Sequence, residues 1–354
     1  MNVCIIGGGL ISLTLAKALV NQGIYVDFFS SQKVEKINKT RTLGISKANV
    51  DFFNNNILNI KKLLWNIDKI EIYSENLKNE KILNFQDSEK NLFSIIKNYE
   101  LYETLLSSLR NDKLFKYKKI KLIPINNYKL IINCDVNNFL NKKYFQKKLK
   151  KDYKSYAHTT IINHKKLLKN NTAIQIFTKS GPLAFLPMSK SKTSIVYSGR
   201  GTKYIDLKSL IKKYNNKYSI LKIDQISNFK LSSLNLRNYY YKNIMAFGDL
   251  LHKLHPLAGQ GFNMSIRDIK LLIDLILFRL NHGLELDSLI CRDFEKKAKH
   301  KNYLFSAGID LVYEFFNLES KMNNSILSKS VKFFGKNKNT NKFFTKLADE
   351  GMVI

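Results

Sequence analysis

The stretch NVCIIGGGLISLTLAKALVNQGIYVDFF, residues 2–29, decides the fold. Val3, Ile5 and Ile6 read as a short buried strand, and Leu13, Ala16, Leu19 and Val20 recur at helical spacing. Gly23 stands where a helix C-cap belongs, and Ile24–Phe29 reads as a second strand. Between the first strand and the helix lies Gly7-x-Gly9-x-x-Ser12. Such a turn lets backbone N–H groups at a helix N-terminus touch a pyrophosphate. Gly7 makes the turn, Gly9 allows close approach, and a small residue at 12 lets the helix pack on the strand. This is the opening β-α-β of a doubly wound α/β fold that binds a dinucleotide. One expected feature is missing. The acidic residue that would hold a ribose hydroxyl should close the second strand, but Phe28-Phe29-Ser30 stands there. Asp27 comes one step early, Glu35 comes late, and Ser30 is left as a weak partner.

Around this stretch, 354 residues are enough for two domains, or for one large domain with a lobe. Lys+Arg 59 against Asp+Glu 28 gives a net charge of +31. The lysines are dispersed through Asn-, Ile- and Tyr-rich sequence, so they read as a solvated face with attraction for anionic lipid, not as a dedicated nucleic-acid site. Cys4, Cys134 and Cys291 form no CxxC pair, which speaks against a disulfide framework or a zinc site and for a reducing compartment. The first strand begins at once, so no leader is expected before it. IKLLIDLILFRL, residues 269–280, carries Asp274 and Arg279 and falls short of the roughly 20 apolar residues of a membrane span. The expectation is a cytoplasmic protein, with attachment to the inner face of the cytoplasmic membrane left open.

Further along, ANVDFFNNNILNIKKLL reads as helix, KIEIYS and KILNF as short strands, and NYELYETLLSSLRND as helix. From about residue 150 to 240 the apolar period becomes two, in TAIQIFT, TSIVYSG and KIDQISNFKL, which predicts a mostly antiparallel second lobe. Beyond residue 285 the chain reads as helical and Lys-rich. Residues 1–65, 95–145 and 240–285 are expected to form a discontinuous dinucleotide-binding domain. Residues 66–94 and 146–239 would form a substrate domain, and 286–354 a helical C-terminal region.

A second signal is GDLLHKLHPLAGQGFNMSIRD, residues 248–268. Gly248-Asp249 ends a buried strand, where a carboxylate can accept from ribityl or ribose hydroxyls. Pro256, Gly259 and Gly261 surround Gln260 just before a long helix, and so present N–H groups at its start. His252-x-x-His255 has no Cys or Glu partner nearby, so no metal is expected; His255 reads as structural or as a cofactor edge. No G-x-S-x-G elbow exists for a hydrolase. Arg267 and Asp268 read as helix-surface or interlobe contacts. One long cofactor touched near both chain ends accounts for both glycine turns, and FAD fits, with its pyrophosphate near the first helix and its isoalloxazine near the second turn.

These motifs resemble the flavoprotein aromatic hydroxylases of the para-hydroxybenzoate hydroxylase type, and specifically their ubiquinone-precursor branch. The resemblance runs through residues 248–268, through FTKSGPLAFLPM (177–188), TRTLGIS (40–46) and NYELYETLL (98–106), and through YKSYAHTTII and the closing FFTKLADEG. It implies a glutathione reductase-like, Rossmann-type FAD domain with an interleaved antiparallel substrate sheet. It places Arg41 near the pyrophosphate, adds Asn98 to the cofactor site, assigns Asp249 to the ribityl-pyrophosphate region, and lines the isoalloxazine with Pro256, Gly259, Gln260, Gly261, Phe262 and Asn263. Three departures stand out: Ser30 for the usual Glu, CDVNN at 134–138 for a Gly-containing loop, and Leu250-Leu251 for two alanines beside the cofactor.

The resemblance implies that no side chain is the catalyst. NAD(P)H reduces the flavin, O2 forms a hydroperoxide on it, and an electron-rich phenolic ring takes the distal oxygen. Phe185, Leu186, Pro187 and Met188 are candidates for an apolar wall, with ordinary sheet core as the alternative. A polyprenyl phenol substrate suggests a membrane surface, and other ubiquinone-biosynthesis proteins as partners. Two other readings stay open: a geranylgeranyl reductase-like or soluble-phenol oxidoreductase, and a non-catalytic assembly member of a quinone-biosynthesis complex.

Overall fold

The computed structural model describes residues 2–30, 39–78, 80–86, 91–119, 124–201, 204–256, 259–322, 326–335, 337 and 345–351. The chain opens with β1 (Asn2–Ile6), α1 (Leu10–Val20) and β2 (Tyr25–Ser30). β3 (Thr42–Ser46), α2 (Lys47–Asn56), β4 (Trp65–Ile67), β5 (Lys69–Ser74), β6 (Glu80–Gln86), β7 (Phe93–Lys97) and α3 (Asn98–Arg110) follow. Next come β8 (Phe115–Lys119), β9 (Ile131–Asn133), α4 (Phe139–Tyr144) and the long β10 (Lys148–His164). β11 (Thr172–Thr178), β12 (Gly181–Pro187), β13 (Lys192–Arg200), α5 (Leu207–Tyr214), β14 (Ile220–Ile223) and β15 (Ser227–Leu236) continue the chain. After them stand β16 (Tyr240–Tyr241), β17 (Ile244–Ala246), β18 (His252–Lys253), α6 (Gln260–Asn281), α7 (Ser288–Met322) and α8 (Ile326–Gly335). Residues 345–350 are again helical.

Two large sheets organise these elements. The first runs β16-β17-β9-β1-β2-β8, with β17, β9, β1, β2 and β8 mutually parallel and β16 antiparallel to β17. Its register pairs Ile6 with Asn133 and Asn133 with Ala246, so β1, β9 and β17 end at one level. Gly7, Cys134 and Gly248-Asp249 therefore meet at the carboxyl edge of a parallel sheet, where ligands of such sheets lie. The second sheet runs β18-β15-β10-β13-β12-β11-β5-β6, and β14 pairs with β10. It is antiparallel except where β11 meets β5. A three-stranded sheet, β3-β7-β4, lies apart from these two.

The main core gathers the buried faces of α1, β1, β2, β9 and α6, including Leu13, Ile5, Phe28, Ile132 and Ile266. A second core under the large sheet holds Leu183, Phe185, Ile195 and Tyr197. The helix expected over residues 48–64 stops at Asn56. Its Asn54-Asn55-Asn56 run supplies the reason: Asn54 Oδ1 accepts from Ile60 N at 2.8 Å, and Asn56 Nδ2 donates to Phe52 O at 3.1 Å. Side chains that bond the backbone in this way compete with helix continuation.

Glu71 on β5 shows how the second sheet uses its lysines. Burial alone would raise its pKa, but hydrogen bonds from Lys69, Lys81 and Tyr73 and the Lys81 charge bring it from 4.5 down to about 2. A carboxylate depressed in the fold adds stability that is fully present above its unfolded pKa and is lost as pH falls through the folded one. Unfolding free energy is therefore expected to decline between pH 4.5 and about 2, and Glu71→Gln to flatten that limb. Urea titrations at stepped pH measure it; equal slopes in both proteins sink the assignment.

Candidate cofactor and substrate site

A single cavity of about 690 Å³ lies between the carboxyl edge of the parallel sheet and one face of the large sheet. On the sheet-edge side, α1 and α6 both open onto it. Each begins at a glycine, Gly9 and Gly259, with no side-chain cap and no acidic residue in its first turn. Uncapped helix starts leave N–H groups free for an anion. A Cβ added at Gly9 or Gly261 would meet nothing within 4 Å, and both residues line the cavity, so a side chain there would fill the space over the turn. Asp249 lines the same space, exposed and with no hydrogen bond or ion pair to protein among the described residues. These features fit an extended dinucleotide.

The other predicted residues divide by role. Arg41, Asn98, Pro256, Gln260 and Phe262 line the cavity, and the Asn98 backbone N–H donates to Arg41 O at 3.0 Å. Gly7 does not line it; its neighbour Gly8 does. Gly7 instead has φ +148 and lies so close to β9 that a Cβ would come 3.1 Å from Cys134 Cβ. Ser12 borders the cavity, fully buried, and donates to Gly9 O at 2.7 Å. Asn263 lines the cavity too, yet its side chain is used inside the protein. Its Oδ1 accepts from Ser46 N and Asn49 Nδ2, each at 2.9 Å, and its Nδ2 donates to Gly44 O at 2.9 Å. It clamps the second turn to β3, 217 residues away in the chain.

Several expectations from sequence change in three dimensions. Leu250 and Leu251 are buried in the main core and do not line the cavity. Asp27 is tied to Lys118, Tyr128 and Asn2 within the sheet, which leaves it no part in ribose binding. Glu35 lies outside the described residues. Of the two readings for Arg267 and Asp268, helix surface or interlobe contact, Asp268 takes the second: it joins α6 to β18 of the other large sheet. Asp268 is 3% exposed and bonds His252 at 2.5 Å and Asn302 at 3.0 Å, and the Arg267 guanidinium stacks 4.6 Å from the Phe305 ring. Among the described residues no group of three or more His, Cys, Asp or Glu is placed to hold a metal.

His255 is structural. Its ring lies 4.8 Å from Tyr153 and 4.2 Å from Tyr313, with neither nitrogen hydrogen-bonded among the described residues. Burial pushes its pKa down to about 3, so it is neutral. Replacing a buried polar group that has no partner with an apolar one of similar shape relieves desolvation. His255→Phe is expected to raise the melting temperature by a few degrees, about 1 kcal/mol; a fall in calorimetry would point to an unseen bonding partner.

The opposite wall is built by strand register. Thr159 on β10 pairs with Val196, Val196 with Ala184, Ala184 with Gln175, and Gln175 with Ile72, and all five line the cavity. They form one straight row across five strands, small in the middle and apolar toward β5. Of the wall expected at 185–188, Leu186 alone lines the cavity; Phe185 points to the second core, as alternation in a strand requires. Gly181, at the start of the Gly-Pro-Leu-Ala segment, has φ +138, and a Cβ there would lie 1.9 Å from Ser198 O. Only glycine lets β12 sit there.

Sequence reasoning missed the C-terminal part of the wall. Thr345, Ala348 and Asp349 line the cavity. Asp349 Oδ1 accepts from Ala48 N at 2.8 Å and so caps α2, while Gln260 Nε2 donates to Ala348 O at 3.2 Å. FFTKLADEG was visible as a segment, but nothing in it tells which surface it meets.

No family model matches the chain. The ubiquinone biosynthesis monooxygenase COQ6 of Schizosaccharomyces pombe is 22% identical over 63% of this chain and 57% of its own length. The protein of the same name from Dictyostelium discoideum is 24% identical over 94% of this chain and 87% of its own. The 3-demethoxyubiquinol 3-hydroxylase of Escherichia coli is 26% identical, over 40% of this chain and 39% of that protein. The chain thus spans less than two thirds of the first and last of these relatives. Among solved structures, p-nitrophenol 4-monooxygenase PnpA from Pseudomonas putida superposes with a TM-score of 0.80 at 11% identity, covering 99% of this chain and 98% of that one. Klebsiella pneumoniae HpxO, complexed with FAD and uric acid, superposes with a TM-score of 0.77 at 11% identity, covering 99% of this chain and 96% of that one. The shared fold is a parallel sheet facing a mostly antiparallel one.

Proposed function

We propose, for a chain that belongs to the para-hydroxybenzoate hydroxylase-like flavoprotein monooxygenases, that it hydroxylates the aromatic ring of a polyprenyl phenol on the way to ubiquinone, using FAD, NAD(P)H and O2. One observation carries the reading: two uncapped, glycine-started helices and Asp249 converge over an apolar sheet floor in one cavity.

FAD would be held by the α1 turn at Gly8 and Gly9, by Asp249, and by the Pro256 and Gly259–Phe262 segment, with Arg41 on the same wall. When bound it would supply oxygen activation, chemistry no side chain here can perform. The protein's own part is binding and exclusion. Val196 and Ala184 leave room for a flat ring on the floor, and Ile70, Ile72 and Phe85 offer apolar surface for a prenyl tail. The Thr159 hydroxyl, buried and without a hydrogen-bond partner among the described residues, gives a ring oxygen above that row a hydrogen bond to make. Apolar walls keep water from a reactive oxygen species. Cys134, beside Asp249, stays a thiol because burial raises its pKa.

A substrate of this kind partitions into lipid, so the reading places the protein on the inner face of the cytoplasmic membrane, beside other ubiquinone-biosynthesis proteins. Among the described residues no helix is long and apolar enough to cross a membrane.

Purified protein supplied with NAD(P)H, 18O2 and a short-chain prenylphenol tests the reaction. A product heavier by one labelled oxygen is expected. Saturation of a prenyl double bond without oxygen uptake would favour the reductase alternative, and no nicotinamide oxidation at all would favour the assembly role.

A further inference from the structure

The long helix α7 is apolar on two opposite sides between residues 303 and 318. One side, with Phe305, Tyr313 and Phe316, is buried in the protein. The other carries Leu304, Ala307, Gly308, Leu311 and Leu318, an exposed stripe about 21 Å long. Leu311 is 70% exposed, Leu318 54% and Leu304 42%. A surface helix ordinarily turns a polar face outward, so this one lacks the covering its composition calls for.

Charge indicates what covers it. The acids beside the stripe are occupied: Asp310 accepts from Tyr153, and Glu314 pairs with Lys151 at 2.9 Å. Just N-terminal to the stripe, Lys296, Lys297 and Lys301 are exposed and have no acidic partner among the described residues. An apolar strip entered through a basic cluster is the pattern of a helix lying in an anionic lipid interface. A second copy of the chain suits it poorly, because each copy carries +31.

We propose that the outer face of α7 docks this protein on an anionic bilayer surface, its leucines in the acyl boundary and Lys296, Lys297 and Lys301 at the headgroups. The purpose of such docking rests on the lipid-soluble substrate proposed above; the surface itself does not.

The test is co-sedimentation of the full chain with vesicles of phosphatidylcholine alone or of equimolar phosphatidylcholine and phosphatidylglycerol. Wild type is expected to bind the anionic vesicles preferentially, and Leu311→Glu with Leu318→Glu to lower the bound fraction at least about tenfold. Leu168→Glu, at a residue 99% exposed elsewhere, is expected to change nothing. The proposal is overturned if wild type stays in the supernatant, if the double variant sediments like wild type, or if gel filtration shows a wild-type dimer that the double variant disperses. Oxidation of a soluble short-chain phenol, measured on the same proteins, separates the two readings. Retained turnover in the double variant isolates the defect to docking. Vesicle binding by a wild type that oxidises no phenol leaves the docking surface standing and removes the proposed reaction.

Discussion

Gly9→Val is expected to yield a folded protein that no longer retains flavin. Gly9 has φ −87, a conformation open to any residue, and an added side chain meets no protein atom within 4 Å. Losing glycine at a helix N-cap costs at most about 1 kcal/mol. The added side chain would instead occupy the space that brings a pyrophosphate to the helix N–H groups. Two charge-assisted hydrogen bonds, at about 1.5–3 kcal/mol each, correspond to at least about a 100-fold loss of affinity. Gly7→Val should behave in the opposite sense. Its φ of +148 and the 3.1 Å approach to Cys134 Cβ make it a folding defect of about 2–4 kcal/mol. Flavin absorbance after desalting, paired with urea unfolding, reads both properties. If Gly9→Val keeps its yellow colour at wild-type stoichiometry, the cradle has been assigned to the wrong turn.

Asp268→Ala is expected to be the most damaging single change away from the cavity. Its carboxylate and the His252 ring are 4% and 1% exposed, 2.5 Å apart, and Asn302 donates to the other oxygen at 3.0 Å. The three residues come from α6, β18 and α7, so one carboxylate ties the second turn's helix to the sheet and to the long outer helix. Removing one partner of a buried pair leaves the others desolvated and unmatched, at about 3–5 kcal/mol. Denaturant midpoints should show the loss, and Asp268→Asn, which keeps the shape, should lose less. A cost for Asp268→Ala below about 1 kcal/mol would mean that the pair is wetter than its burial implies.

Both glycine turns were legible before any coordinates, because the demand there is local. A strand, a tight turn and a helix start are specified by neighbours in the chain, and Gly7, Gly9 and Ser12 act on one another within six residues. The alternating second lobe was legible for the same reason, but which of Phe185, Leu186, Pro187 and Met188 face the cavity was not: Leu186 lines it, while Phe185 turns to the second core. Asn263 reads in sequence as a cofactor residue and in space as a clamp, because its partners Gly44, Ser46 and Asn49 belong to another element. Asp268 reads in sequence as either a helix-surface or an interlobe contact, and only the closure of β18 and α7 over it selects the second.

Residues 2–29 and 248–268 by themselves determined that this is a glycine-turn α/β protein, since backbone conformation and helix-end chemistry are written in short spacings. Only the tertiary structure decided which side chains face the cavity and which are used up inside the protein. It also decided that the C-terminal Asp349 caps α2 beside the cavity and that α7 turns leucines outward. Those outcomes depend on which distant elements meet, and hydrogen-bond satisfaction and burial are properties of the meeting, not of either segment alone.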